Sequence, residues 1–228
     1  MLILLTVGVV SAQRVSPDSV GTDVVKNKFL PTGFRIGTDV ISLIKTRTQT
    51  NFSGWEINGD MDFYRYYLAL DYGNWSRTFS PDSGAYTNNG RYWRVGADVN
   101  FLTKDPDRNM FFLGLRHGRS TFSEHYAFDT FDPVWGKLTR DYTNAGVRAQ
   151  WMELVGGLKV KMWKFIWMGY TARFKFGLKT DQTSDMLPHD VPGYGRTDKE
   201  TFWGFNYQIL FRIPFRDAPV IPPAKKKK

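Results

Sequence analysis

Residues 165–178 read FIWMGYTARFKFGL, and every second residue belongs to a different kind of surface. Ile166, Met168, Tyr170, Ala172, Phe174, Phe176 and Leu178 form an apolar face. Trp167, Gly169, Thr171, Arg173, Lys175 and Gly177 form a face of polar, small and cationic groups. Strict alternation at this length predicts a strand rather than a helix. Strands in soluble sheets run about five or six residues, whereas a strand that crosses a bilayer needs roughly nine to eleven. Such a strand turns one face to lipid and the other to a lumen.

The pattern recurs along the chain. A first strand is expected over residues 33–44, with Phe34, Ile36 and Val40 opposite Arg35, Gly37 and Asp39. A polar loop, KTRTQTNFSG, separates it from a second strand at 55–63, where Trp55, Ile57, Met61 and Phe63 alternate with Glu56, Asn58, Asp60 and Asp62. The third begins at Tyr66, with Leu68, Leu70 and Tyr72 on its apolar side. SPDSGAYTNNG is rich in turn formers and is expected to be a loop. A fourth strand follows at 91–103 and a fifth at 110–123, then a long loop over 124–144. The sixth is expected at 145–161, the seventh at 165–178, a second long loop at 180–199, and the eighth at 201–215.

Gaps after strands two, four and six are short, and those after one, three, five and seven are longer. Short turns on one side and long loops on the other are the outer-membrane pattern, which puts both termini in the periplasm. The expected fold is all-β: an eight-stranded antiparallel up-and-down transmembrane β-barrel with a side-chain-filled lumen. A soluble lipocalin-like barrel has the same strand count but would turn its apolar faces inward. Trp and Tyr near strand ends, and glycines with balanced charges on the polar faces, favour the membrane form.

Composition adjusts this picture only at its edges. Mean hydropathy is −0.39 and no stretch approaches twenty apolar residues, so no transmembrane helix is expected. The chain contains no cysteine, which removes disulfides. MLILLTVGVVSA reads as a secretory signal over residues 1–12, without the usual basic leader, followed by a flexible periplasmic segment at 13–32. The barrel then occupies 33–215, and a basic periplasmic tail 216–228. The net charge is +9, but Lys225 to Lys228 supply nearly half of it and no stacking module or basic helix accompanies it. Nucleic-acid binding is not expected.

In this register a lumen set emerges: Arg35, Asp39, Glu56, Asp60, Asp62, Asp71, Arg94, Asp98, Arg116, Glu153, Lys159, Arg173, Lys175 and Arg212. An eight-stranded barrel is just wide enough for its own side chains. Buried charges must then be paired, so the set is expected to form an ion-paired plug rather than a pore. Ser123 and His125, two apart and so on one face, have Asp129 close by in sequence. A serine–histidine–acid group of this kind is one route to lipid deacylation. Chance occurrence in a polar loop is the plainer reading, and no histidine pair has metal-ligand spacing. The expected loop at 124–144 carries Tyr126, Phe128, Phe131, Trp135 and Tyr142, which suits either docking of a partner or folding over the barrel mouth.

The segments GFRIGTDV, YWRVGADVNFL, FFLGLRHGRSTFS, WMELVGGLKVKMW, FIWMGYTARFKF and GFNYQILFRIPF resemble an uncharacterised small outer-membrane β-barrel family of Bacteroidota. The resemblance covers nearly the whole chain after residue 12. It implies a barrel fold in the cell outer membrane and carries over no catalytic residue or cofactor. The expected role is non-enzymatic: a structural or interaction protein, accessory to an envelope complex such as secretion or barrel-assembly machinery. Outer-membrane lipid and lipopolysaccharide are the expected surroundings. A lipid-modifying enzyme, or a narrow channel, is the alternative.

Overall fold

The computed structural model describes residues 29–80, 84–103, 105–181 and 187–216. The expected signal peptide, most of the segment at 13–32 and the lysine tail lie outside them. Eight long strands run antiparallel: β1 (Gly33–Asp39), β2 (Phe52–Phe63), β3 (Tyr66–Phe79), β4 (Gly84–Asn100), β5 (Met110–Asp132), β6 (Gly136–Trp163), β7 (Ile166–Asp181) and, after a two-strand pair β8 (Asp190–Val191) and β9 (Gly195–Arg196), β10 (Thr201–Pro214). The ring closes in the order β1-β10-β7-β6-β5-β4-β3-β2. β1 completes it, with Arg35 opposite Arg212 on one side and Asp60 on the other.

Side-chain direction follows the alternation. Leu68, Leu70, Leu113, Leu115, Leu154, Leu158, Phe205 and Phe211 all point outward, each about half exposed, while Asp71, Arg94, Asp98, Arg116, Glu153 and Arg173 are buried within. A continuous belt of exposed leucine and phenylalanine is far larger than the apolar patch a soluble monomer tolerates. That decides against the lipocalin-like arrangement, whose apolar residues would fill the interior. The belt is edged by aromatic residues at both ends. Trp55, Tyr72, Trp93 and Trp203 mark one rim; Tyr66, Phe101, Phe111, Trp163, Phe165 and Phe215 mark the other. Along β4 and the residue after it the rims lie at Trp93 and Phe101. At about 3.4 Å per residue and about 40° of tilt, that separation is about 21 Å, close to the roughly 25 Å apolar band of an outer-membrane barrel.

The connections differ in character at the two ends. At the second rim, Tyr64 (φ 66°) lies in the two-residue turn between Phe63 and Tyr66, and Lys164 with Phe165 turns Trp163 back to Ile166. Four departures from the expected elements occur toward the first rim. β1 ends at Asp39, not residue 44, because Asp39 caps a helix, α1 (Val40–Thr48), by accepting from the Ser42 backbone N–H at 3.1 Å and its hydroxyl at 2.6 Å. Val40 therefore starts a helix rather than continuing the strand's outer face. β4 begins at Gly84, so AYTNNG is strand and not loop. The expected loop at 124–144 is instead the far end of a hairpin in which β5 and β6 stay paired out to Asp132 and Gly136. It is terminated by a turn in which Asp132 accepts from Val134 N and Trp135 N. Last, Gly177 takes φ +66°, and Gly177 and Leu178 together oppose the single residue Trp151. This bulge reverses the alternation. Leu178 consequently packs inward against the Trp151 cluster instead of lying on the outer face.

Candidate functional site

Acids and bases fill the lumen in layers. Nearest the short turns, Asp62 accepts from Thr32 N (2.7 Å), Gly33 N (3.0 Å), Arg108 Nη1 (3.1 Å) and Arg212 Nη2 (2.9 Å). One layer in, Asp60 bridges Arg35 Nε at 2.7 Å and Lys159 Nζ at 2.8 Å. Both cations also lie over aromatic rings, Arg35 on Tyr67 and Lys159 on Phe112. The central layer has Asp71 at its hub, with Arg116 at 2.6 Å, Arg173 at 3.1 Å and Arg94 at 3.3 Å. Each arginine reaches a second acid: Arg116 contacts Asp98 (2.8 Å), Arg173 contacts Glu153 (3.0 Å), and Arg94 pairs with Glu56. Asn58 and Trp151 donate to the second oxygens of Asp71 and Glu153, and Tyr92 OH donates to the Glu56 oxygen that Arg94 also engages. Small inward residues make room for these long side chains: a Cβ at Gly96 would meet the Leu115 carbonyl and Arg116, and one at Gly118 would enter the Trp151 ring.

Two members of the expected lumen set have different partners from those expected. Asp39 is buried but forms no ion pair among the described residues. It caps α1 and accepts from Tyr207 N at 3.0 Å, which closes the seam where β1 stops. Lys175 reaches no carboxylate within ion-pair distance among the described residues. It donates to the carbonyls of Gly193 and Tyr194, both at 2.8 Å. Those carbonyls belong to the chain between β7 and β10, which turns down into the barrel mouth. Val191 and Tyr194 are fully buried there among Tyr92, Phe122, Val147 and Trp151. Asp190 pairs with Arg77 at 2.7 Å, and its carbonyl accepts from Asn88. Glu124 accepts from Tyr86 OH (2.8 Å), Asn144 Nδ2 (2.8 Å) and His189 N (3.2 Å). Burial raises the Asp190 carboxyl above its ordinary value although Arg77 opposes the shift. Residues 187–200 are thus the segment that covers the mouth. Glu124, Asp190, Val191 and Tyr194 were not foreseen in this role. Only the continued alternation of Phe122 and Glu124 hinted at an inward Glu124.

The Ser123, His125 and Asp129 group does not assemble. Ser123 Oγ accepts from Gly146 N at 3.1 Å, across a bulge between β5 and β6. His125 Nε2 faces both oxygens of Asp141 at 2.9 and 3.0 Å. Asp129 binds Lys137 and Thr139, whose hydrogen bonds hold its carboxyl below the usual range. The cause is strand pairing: each residue finds its partner on the facing strand, Asp129 directly across at Thr139 and His125 diagonally at Asp141. No acid–base relay to Ser123 results.

The hairpin's aromatic residues divide in two. Tyr126 lies between Tyr86 and Phe128, and Phe128 stacks on Tyr142 at 6.0 Å. Phe131, Val134 and Trp135, at the tip, are 77%, 80% and 79% exposed.

This is a closed eight-stranded up-and-down β-barrel whose outside is apolar and whose inside is ion-paired. The chain belongs to the DUF6048 family, a domain of unknown function, whose match spans residues 1–217. No curated protein matches it. Among solved structures it is similar to Neisserial surface protein A (NspA), at 12% identity and TM-score 0.41 over 81% of this chain and 96% of that one. Acinetobacter baumannii CarO is comparable, at 13% identity and TM-score 0.41 over 83% of this chain and 100% of the other.

Proposed function

We propose that this chain is a non-conducting barrel of the cell outer membrane, with both termini periplasmic, that presents the β5–β6 hairpin as a docking surface for another envelope protein. The role is that of an accessory subunit, with secretion or barrel-assembly machinery the kind of assembly it suits. The observation that carries this reading is the hairpin tip. Phe131, Val134 and Trp135 are large apolar groups held nearly fully exposed at the end of β5 and β6, whose 23 and 28 residues far exceed what a bilayer requires. Aromatic anchors of this kind dominate protein–protein interfaces. The lumen supports the non-conducting half of the reading, since its central arginines and carboxylates are consumed by one another.

Mild detergent extraction from native membranes tests it. The wild-type barrel should run in a complex larger than the monomer with stoichiometric partners, and Phe131→Ser/Trp135→Ser should return it to monomer size. A wild-type protein that runs only as monomer overturns the docking role, and single-channel currents in planar bilayers overturn the closed lumen.

A further inference from the structure

Four cations stand on the outer wall, on four consecutive strands, at the aromatic rim and just beyond it. Trp93, Arg119, Gln150 and Lys179 are register partners across β4, β5, β6 and β7. One outward row higher, Arg91, Thr121, Arg148 and Asp181 align in the same way. Arg91, Arg119, Arg148 and Lys179 are all exposed, and none makes an ion pair among the described residues. Strands about 4.8 Å apart and rows about 7 Å apart place all four within a patch about 14 Å wide. Asp181 is the acid of the same two rows, so the patch keeps a surplus of three positive charges. His117 stands one row below Arg119, edge-on to Trp93 at 5.9 Å.

The rest of the circumference differs. In the row of Arg91, β3 carries Asn74 and β2 carries Trp55; one row higher they carry Ser76 and Ser53, and on β10 Thr201 pairs with Phe176. Among the described strands the exposed cations are therefore concentrated on β4–β7, while Lys45 and Arg47 stand on α1 on the other side. The height of the patch matters as much as its sign, because the row beneath it holds His117, Met152 and Phe176, and the next begins the belt of Leu115, Leu154 and Phe174. A molecule that touches both must have acyl chains below and anionic groups above. Guanidinium groups bind phosphate oxygens bidentately, with geometry an ammonium lacks. Three arginines side by side, none of them paired to a carboxylate, repel one another unless an anion lies between them.

We infer that this face of β4–β7 is a binding site for a phosphorylated glycolipid of the outer leaflet, with its phosphates on Arg91, Arg119 and Arg148 and its acyl chains along the leucine belt. This rests on the outer-membrane placement proposed above, which density-gradient fractionation of membranes tests separately.

The test uses the full-length barrel in mild detergent, titrated with diphosphoryl lipid A and followed by native mass spectrometry. The wild type should retain the lipid, and retention should fall as salt is raised. Arg119→Gln/Arg148→Gln should weaken binding at least tenfold, and Arg91→Gln or Lys179→Gln alone about threefold. Arg140→Gln, the same charge change on the hairpin, should leave it intact. Heat-modified gel mobility reports whether each variant is folded; the single variants carry the test if the double one is not. Equal retention by wild type and every folded variant, or equal retention of a phosphate-free glycolipid, would overturn the site. Displacement by millimolar inorganic phosphate would also overturn the lipid assignment, because it would mark a site for a soluble anion.

Discussion

Asp60 is the most exacting place to test whether the lumen is held by its ion pairs. Its two carboxylate oxygens are divided between Arg35 Nε and Lys159 Nζ, at 2.7 and 2.8 Å, with side-chain exposures of 2% for the acid and 4% for each base. Asp60→Asn keeps the shape and removes the charge, which leaves two cations buried with one neutral amide. Removing one partner of a buried ion pair costs about 3–5 kcal/mol. We therefore expect a loss of about 4 kcal/mol. With a urea dependence of about 2 kcal/mol per molar, the unfolding midpoint in lipid vesicles should fall by about 2 M. The control is the triple change Arg35→Leu/Asp60→Leu/Lys159→Met, which removes all three charges together. Replacement of whole buried ion clusters by apolar residues is often neutral or stabilising. The triple variant should thus recover most of the lost stability. A cost below about 1 kcal/mol for Asp60→Asn would refute the reasoning, as would a triple variant less stable than the single one.

Two further outcomes follow from the same structure. Leu70→Arg puts a charge on the outer face at mid-belt, which costs about 2–4 kcal/mol against lipid; assembly into vesicles should fail or slow markedly, and normal assembly would show that this face does not meet hydrocarbon. Tyr194→Ala empties the space between Trp151 and Tyr92, with a loss of about 3 kcal/mol by analogy with other buried aromatic truncations. Amide exchange over 187–200 should rise while planar bilayers stay silent, because the central arginine layer is untouched. Unchanged exchange would show that Tyr194 does not hold the mouth segment.

Much of the barrel was legible because a strand's side-chain direction is a local property. Once Trp55 to Phe63 alternates, Glu56, Asp60 and Asp62 must share a face whatever the rest of the chain does. A helix at 40–48 is marked in the sequence too. Asp39 before an apolar run, with Lys45 and Arg47 in the last turn, is a helix start and stop signal. The alternation of Phe34, Ile36 and Val40 competes with that signal. The extent of β5 and β6 was harder to see, since SEHYAFDTFD and GKLTRDYTN alternate weakly and become strands through pairing with each other.

What the chain determined by itself is the inside and outside of each strand away from the Gly177 bulge and the start of α1, and the number of membrane-crossing strands, with their charges on one face. These depend on residues two apart, and the two-residue period survives any register. Tertiary structure decided which charges meet. Asp60 finds Lys159, 99 residues away, only because strand register brings them to one level of the lumen. It also decided that Lys175 would hold a returning loop instead of a carboxylate, and that Ser123 would have no relay. The reason is the same in each case: a polar group's partner is chosen by the geometry of closure, which joins elements far apart in the chain, whereas its side of the sheet is chosen by its neighbours.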